Sequence, residues 1–144
     1  MNIVVDDGNT RTKLATFSGS DDELSSRVFE SDNDLQAFLQ HHTFENALVS
    51  SVRGRADDLL AWITAAGRKI CLAPSIGMPL EIKYRTPATL GVDRIAAAVG
   101  AQQLFPKTNC LVIDAGTCIT YELVTAQGEY MGGGISPGLR ILIL

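Results

Sequence analysis

Two apolar segments flank a polar turn at the start of the chain. Asn2–Asp6 is rich in β-branched residues, residues 7–9 read Asp-Gly-Asn, and Arg11–Phe17 alternates between apolar and polar positions. Such alternation is typical of a half-buried strand, and Asp-Gly-Asn is typical of a hairpin turn. The first seventeen residues therefore predict a β-hairpin.

Strand and helix patterns then alternate as far as residue 105. A third strand is predicted at Ser26–Glu30, followed by a helix that Ser31 caps and in which Leu35, Phe38 and Leu39 share one face. The next predicted elements are a strand, a helix stopped by Gly67, a strand, an irregular connector and an alanine-rich helix: Ala47–Val52, Leu59–Ala66, Lys69–Ala73, Pro74–Thr89 and Gly91–Phe105.

A second hairpin repeats the pattern of the first. IVVDDGNTRTKLATF and LVIDAGTCITYELVT share apolar-apolar-Asp-x-Gly-[Asn/Thr]. Strands are predicted at Cys110–Asp114, Thr117–Thr125 and Glu129–Met131, and the glycines at 132–134 with Ser-Pro-Gly at 136–138 indicate the start of a helix.

The repeat predicts two domains of the same α/β fold. We expect the first domain at residues 1–107 and the beginning of the second at 108–144. Because residues 140–144 are almost wholly apolar, we also expect that the chain is cut off inside this second domain.

The two Asp-x-Gly turns are candidates for phosphate binding. A strand that ends in Asp before a glycine turn places a carboxylate beside backbone N–H groups, which can hold phosphate oxygens while the carboxylate holds Mg²⁺. Asn9, Thr10 and Thr117 add side-chain donors, and Lys13 adds a cation. Either turn alone could equally be a plain hairpin turn, but two copies after apolar strands favour the phosphate interpretation.

Gly91-Val92-Asp93-Arg94 opens the alanine-rich helix. A helix N-terminus favours an ionised carboxylate, and an ionised Asp can accept a proton from a substrate hydroxyl during phosphoryl transfer. Asp93 is thus a candidate general base, and Arg94 can neutralise a carboxylate or phosphate. The alternative is an ordinary acidic residue in a first helical turn. The glycine run at 132–134 similarly fits either close approach of a nucleotide or a simple bulge.

Composition narrows the functional classes. The net charge is −4, so nothing favours nucleic acid or anionic lipid. No run of eighteen apolar residues predicts a membrane span, and the N-terminus does not resemble a signal peptide. The three cysteines form no CxxC pair, which indicates reduced thiols in a cytoplasmic protein. Neither GxxxxGK[ST] nor GxGxxG occurs.

Together the motifs DDGNTRTK, TLGVDRIAAAVGA, VIDAGTCITYE and GGGISPGL resemble those of the type III pantothenate kinases, of the acetate/sugar kinase, heat-shock protein and actin superfamily. The resemblance runs from Asn2 to Leu139. It implies RNase H-like (actin-like ATPase) domains, each with a mixed sheet, with ATP bound between them. The resemblance implies phosphorylation of pantothenate to 4'-phosphopantothenate in coenzyme A biosynthesis. It also implies a need for Mg²⁺ and for K⁺ or NH₄⁺, and a homodimer.

The resemblance further implies roles for individual residues. Asp93 would be the general base, Asp114 a ligand of the monovalent cation, and Asp6 a possible ligand of Mg²⁺. The implied ATP-binding residues are Asp6, Asp7, Gly8, Asn9, Thr10, Arg11, Thr12, Lys13 and Thr117. The implied pantothenate-binding residues are Tyr84, Gly91, Val92, Asp93 and Arg94.

Three other functions remain open at this point: a non-catalytic regulatory or ligand-binding relative, a different kinase or ATPase of the superfamily, and an inactive fragment of the kinase. The intact candidate residues favour the pantothenate kinase over a regulator that has lost activity. Tyr84 together with Gly-x-Asp-Arg favours it over a sugar or acetate kinase.

Overall fold

In the computed structural model, which describes residues 1–19 and 22–138, the opening residues form the predicted hairpin. The chain divides into two compact units, the first covering Met1–Ala73 and the second beginning at Pro74. The first unit contains seven strands and two helices among its described residues: β1 Asn2–Asp7, β2 Thr12–Ser18, β3 Asp22–Phe29, α1 Asp32–Gln40, β4 Thr43–Phe44, β5 Ala47–Ser51, α2 Ala56–Trp62, β6 Thr64–Ala65 and β7 Lys69–Cys71.

A mixed five-stranded sheet organises the first unit, with the order β3-β2-β1-β5-β7. The first three strands are antiparallel, whereas β1, β5 and β7 are parallel, as their intervening helices require. Ile3, Val5 and Val49 of the sheet are buried together with Leu35 of α1 and Leu59 of α2. Both helices therefore cover the same face of the sheet.

The helix α1 begins as predicted. The Ser31 hydroxyl accepts a hydrogen bond from the Asp34 amide at 3.5 Å, and Leu35 and Leu39 are buried. The third strand is longer than predicted, since it begins at Asp22 instead of Ser26. The strand is extended because it pairs with the whole length of β2, from Thr12 to Ser18.

The predicted end of the second helix at Gly67 is wrong. The helix α2 ends at Trp62, and Ile63 is buried in an extended conformation. Thr64–Ala65 then pairs in parallel with Thr43–Phe44. Propensity favoured continued helix here, but backbone pairing with a distant segment determines the conformation.

The second unit contains four strands, a short 3₁₀ turn and one helix among its described residues: β8 Glu81–Ile82, the turn Pro87–Thr89, α3 Val92–Leu104, β9 Cys110–Ala115, β10 Cys118–Val124 and β11 Glu129–Pro137. The sheet order is β8-β11-β10-β9. Ile95 and Ala98 of α3 pack against Val124 and Tyr130 of the sheet. The helix thus covers one face of the second hairpin.

The predicted helix start after the glycine run is not found at residues 132–138, because β11 continues through Pro137. A Cβ at Gly133 would collide with the Tyr121 carbonyl, so the absence of side chains lets β11 approach β10 closely. A bulge lies between Leu123 and Val124, which pair with Gly132 and Tyr130 respectively. This bulge fits the expectation of a glycine bulge at the start of the run, whereas the approach of a nucleotide to these glycines stays a prediction. Any helix beyond Gly138 lies outside the described residues.

The predicted repeat is visible as two similar three-stranded antiparallel meanders, β1-β2-β3 and β9-β10-β11. This mixed α/β architecture has the predicted class. The boundary between the compact units falls after Ala73 in the sequence, whereas we predicted a domain boundary at residue 107. The assignment of 1–107 and 108–144 as domains stays a prediction.

Candidate functional site

The two acidic residues at the end of β1 face opposite sides of the first sheet. Side chains alternate along the strand, so Asp7 shares the core face with Ile3 and Val5 and is fully buried, whereas Asp6 is half-buried on the other face with Val4. These two predicted ATP-binding carboxylates therefore lie in different environments.

Asp7 is surrounded by donors from three parts of the chain. Thr12 donates to Oδ1 at 2.9 Å and Ser51 donates to Oδ2 at 2.7 Å. Arg55 donates to both oxygens, at 2.9 and 3.1 Å, and Arg53 donates to Oδ1. Burial would raise the pKa of Asp7, but the hydrogen bonds from Arg55, Arg53, Ser51 and Thr12 outweigh it and hold the pKa well below its usual range.

Arg55 also joins this cluster to the first turn of α1. Its guanidinium donates to Asp32 at 2.5 and 2.8 Å, and the carboxylates of Asp32 and Asp7 raise the pKa of Arg55. The segment after β5 is thereby fixed beside the β1–β2 turn. Arg53 and Arg55 were not predicted from the sequence as site residues, because arginines in a loop carry no signal until a buried partner is known.

The β1–β2 turn itself is compact. The Gly8 amide donates to the Arg11 carbonyl at 3.1 Å, Asn9 and Thr10 are exposed, and Arg11 pairs with Glu30 at 3.3 Å. Thr12 is buried, and its hydroxyl donates a hydrogen bond to Asp7 Oδ1. Lys13 is exposed and stands opposite Asp6 across the hairpin.

A shallow groove of about 380 Å³ lies on the Asp6 side of the first sheet. Its lining residues are Val4, Asp6, Lys13, Leu14, Ala15, Ser26, Arg27 and Val28. On the neighbouring strand, Ser50 is the parallel partner of Asp6 and shares this face. Its buried hydroxyl has no hydrogen-bond partner among the described residues.

In the second unit, Asp93 is exposed in the first turn of α3. Its Oδ1 accepts a hydrogen bond from the Arg94 amide at 2.9 Å, so the carboxylate folds over the helix N-terminus. A Cβ at Gly91 would lie 2.5 Å from that oxygen. The glycine in Gly-x-Asp-Arg therefore leaves room for the carboxylate in this position.

Arg94 points away from Asp93 into the core. Its Nε and Nη2 donate to the two carboxylate oxygens of Glu122 at 2.5 and 2.9 Å, and Tyr130 donates its hydroxyl to the same carboxylate. The bond to Glu122 raises the pKa of Arg94, and burial, then the bond to Glu122, raises the pKa of Tyr130. Arg94 was expected to neutralise a carboxylate or phosphate, and its partner in the structure is the carboxylate of Glu122. Neither Glu122 nor Tyr130 was predicted from the sequence as a site residue.

Tyr84 lies next to this network. The Arg94 guanidinium carbon is 5.8 Å from the centre of the Tyr84 ring. Gly132 has φ +88°, and a Cβ there would lie 2.5 Å from the ring. The tight contact at Gly132 is thus made with the ring of Tyr84, a residue of the same unit. Tyr84 lies beside Arg94, and Gly91 lies against the Asp93 carboxylate, whereas the binding roles that the resemblance implies for these residues stay predictions.

The β9–β10 turn presents backbone oxygens. Asp114 is exposed near the end of β9, and the Thr117 carbonyl accepts a hydrogen bond from the Gly138 amide at 3.1 Å. A Cβ at Gly138 would lie 2.6 Å from the Gly116 carbonyl oxygen and collide with that of Thr117. The carbonyls of Gly116 and Thr117 therefore converge on the space beside Gly138.

These features define a class of protein. Two three-stranded meanders with Asp-x-Gly turns, each extended by parallel strand pairing and covered by helix, have the mixed α/β architecture of the actin-like ATPase fold.

Comparison with known proteins identifies the family within that class. The family model described as type III pantothenate kinase matches residues 2–143, and the chain belongs to this family. A type III pantothenate kinase of Flavobacterium johnsoniae is 42% identical over 147 residues, which cover 98% of this chain and 59% of the relative. Those of Porphyromonas gingivalis and Bacteroides fragilis are each 39% identical, and in each case 58% of the relative is covered. The chain thus spans less than two thirds of the length of these relatives.

Proposed function

We propose that this protein transfers the γ-phosphate of ATP to the hydroxyl of pantothenate, giving 4'-phosphopantothenate for coenzyme A biosynthesis. The observation that carries the proposal is the exposed Asp93 carboxylate held at the N-terminus of α3 in a chain of this family. Phosphoryl transfer depends mainly on positioning and charge stabilisation, and a positioned carboxylate can take the proton of the attacking hydroxyl.

The remaining predicted residues divide between the two substrates. The β1–β2 turn from Asp6 to Lys13 and Thr117 of the β9–β10 turn would hold the ATP phosphates through backbone N–H groups and side-chain donors. Because the Asp7 carboxylate is occupied by arginines, Asp7 would act on ATP only through its backbone. Tyr84 and residues 91–94 would bind pantothenate, with Arg94 supporting the site from the core.

Asp6 fits a role in holding Mg²⁺. Protein sites usually offer Mg²⁺ one or two carboxylates and leave the other positions to water and phosphate. Asp6 supplies one carboxylate, and the buried hydroxyl of Ser50 on the same face can bond to a coordinated water. The ion would neutralise charge on the transferring phosphate.

Asp114 fits a role in holding K⁺ or NH₄⁺. The support is the exposure of Asp114 near the end of β9, just before the glycine turn at Gly116. An exposed carboxylate can attract and hold a cation. The cation would add positive charge near the phosphate-binding turn.

The test is an assay of pantothenate phosphorylation by the purified protein with ATP and Mg²⁺, with and without K⁺, the product being identified by its mass. Asp93→Asn preserves the shape of the side chain and should lower turnover by about 10²–10⁴-fold, the usual contribution of a general base. Wild-type turnover in Asp93→Asn would remove this residue from the chemistry, and absence of any product from the wild type would refute the function.

The proposal also covers the oligomeric state and the cellular location. We infer a homodimer, as the family resemblance implies, and sedimentation would test it. We also infer a cytoplasmic location, because the reaction consumes ATP and needs a compartment that supplies it. Among the described residues, no helix is both long and apolar enough to cross a bilayer.

A further inference from the structure

Two fully buried polar residues of the second unit have no role in the proposed chemistry. Glu122 of β10 and Tyr130 of β11 are both 0% exposed, and neither was assigned a role in substrate binding, although Glu122 is the last residue of the motif VIDAGTCITYE. Burying a carboxylate is costly unless it is paired and hydrogen-bonded. Their partner therefore indicates what they do.

That partner is Arg94, the residue that follows the proposed base. Its guanidinium makes two parallel hydrogen bonds to Glu122, and the Tyr130 hydroxyl completes the shell of the same carboxylate. A hydrocarbon pair of similar volume would fill this space without desolvating two charges. The bidentate ion pair, in contrast, fixes the direction of the Arg94 side chain.

The Arg94 backbone connects this ion pair to Asp93. The two residues are adjacent in the first helical turn, and the Arg94 amide donates to Asp93 Oδ1 at 2.9 Å. If the Arg94 side chain is anchored to β10, its amide is held in place as well, and so is the carboxylate that accepts from it. We propose that Glu122 and Tyr130 are positioning residues that hold the Asp93 carboxylate in its reactive place through Arg94. The inference rests on the proposed function in one respect, namely that Asp93 is the base.

The kinetic test compares three variants of the protein. Glu122→Gln keeps the shape but removes the charge, and should lower kcat by about 10²-fold, the usual consequence of misplacing a catalytic group by about 1 Å. Tyr130→Phe leaves the ion pair intact and should lower kcat about tenfold, or about 1.4 kcal/mol of barrier. Glu122→Asp, which restores the charge, should recover part of the loss. The KM for ATP should stay unchanged in all three.

A matched control lies on the neighbouring strand. Glu129→Gln makes the same chemical change in a half-buried residue of β11 that bonds to Thr125 instead of Arg94. It should leave kcat unchanged. If Glu122→Gln does not fold, Tyr130→Phe decides the question, since it removes only one hydroxyl. Wild-type kcat in Tyr130→Phe, or in folded Glu122→Gln, overturns the proposal.

Hydrogen exchange provides a readout that does not need activity. The Arg94 amide reports directly on Asp93, so in Glu122→Gln its protection should fall, whereas the amides of residues 98–104 in the same helix should keep theirs. Unchanged protection at Arg94, or an equal loss along the whole of α3, overturns the positioning role. If the wild type transfers no phosphate, the proposed function fails while this exchange pattern still decides whether Glu122 positions Asp93.

Discussion

At the scale of single residues, the candidate site depends on what stands next to each carboxylate. Asp93 and Asp7 both lie at the ends of secondary-structure elements, but Asp93 is exposed and Asp7 is enclosed by arginines and hydroxyls. One carboxylate is available to a substrate, and the other holds the loops together. Sequence motifs alone treat both as candidate ligands.

Gly91 offers a direct test of how Asp93 is placed. An alanine Cβ would meet Asp93 Oδ1 at 2.5 Å, and its next neighbours are atoms of Arg94 at 3.7 Å, so only the carboxylate has to move. Gly91→Ala should therefore keep the fold but lower turnover by about 10–10²-fold, because the base is misplaced.

The matched control is Gly100→Ala in the middle of α3. No atom lies within 4 Å of a Cβ there, so this change should stabilise the helix by about 0.5–1 kcal/mol and leave turnover unchanged. Thermal melts and initial rates of both variants decide the matter. Undiminished turnover in Gly91→Ala would show that the displaced carboxylate is not needed.

We expect Asp7 to contribute mainly to the stability of the first unit. Asp7→Asn leaves two arginines without their buried carboxylate and should destabilise the first unit by about 3 kcal/mol. This value is the lower end of the usual range of about 3–5 kcal/mol for breaking a buried ion pair. The lower end is expected because Arg53, which is one third exposed, can turn towards water. Asp32→Asn, which removes the exposed partner of Arg55, should cost less than about 1 kcal/mol. Urea unfolding followed by Trp62 fluorescence measures both, since Trp62 is the single tryptophan of the chain.

The effect of Asp7 should also depend on pH in a defined direction. Its pKa is lowered in the folded state, so its contribution is complete above the unfolded value of about 3.9 and is lost as the pH falls through the folded value. The difference in unfolding free energy between wild type and Asp7→Asn should stay constant from about pH 8 to pH 5 and shrink below about pH 4. A difference that grows with acidification would contradict this account of Asp7.

At the scale of elements, the glycine-rich strand β11 pairs with β10 only because particular side chains are missing. A Cβ at Gly133 would overlap the Tyr121 carbonyl, whereas one at Gly134 would lie 4.0 Å from the Tyr121 ring. Gly133→Ala should destabilise the β10–β11 pair by about 3 kcal/mol, and Gly134→Ala should be neutral or slightly stabilising. Amide exchange across residues 118–137 distinguishes them, and equal effects of the two changes would mean that β11 pairs in a different register.

At the scale of the whole chain, each compact unit has its own apolar core. The first core runs from Ile3 to Ala65 and includes both of that unit's helices, whereas α3 packs on residues of the second unit. We therefore expect a fragment of residues 1–73 to unfold in one cooperative transition, followed by Trp62 fluorescence.

A fragment of residues 1–107, which corresponds to the domain predicted from sequence, provides the comparison. It adds α3 without Val124 and Tyr130, on which α3 packs, so exchange protection should not extend into residues 92–104. Protection of α3 in this fragment would favour the boundary at residue 107.

The sequence by itself determined the two hairpins and the α/β class, because strand alternation and turn chemistry are local properties. The mixed sheet and the roles of Tyr84 and Arg94 were expected from the resemblance of the motifs to a known family. Only the tertiary structure decided that Asp7 is enclosed by Arg53 and Arg55, and that Arg94 bonds to Glu122 across 28 residues of chain. It also decided that α2 stops at Trp62 and that β11 runs through the glycines, since pairing with distant strands overrides local propensity. The partner of a buried charge is determined by which residues folding brings into contact, and the order of residues in the sequence does not encode this locally.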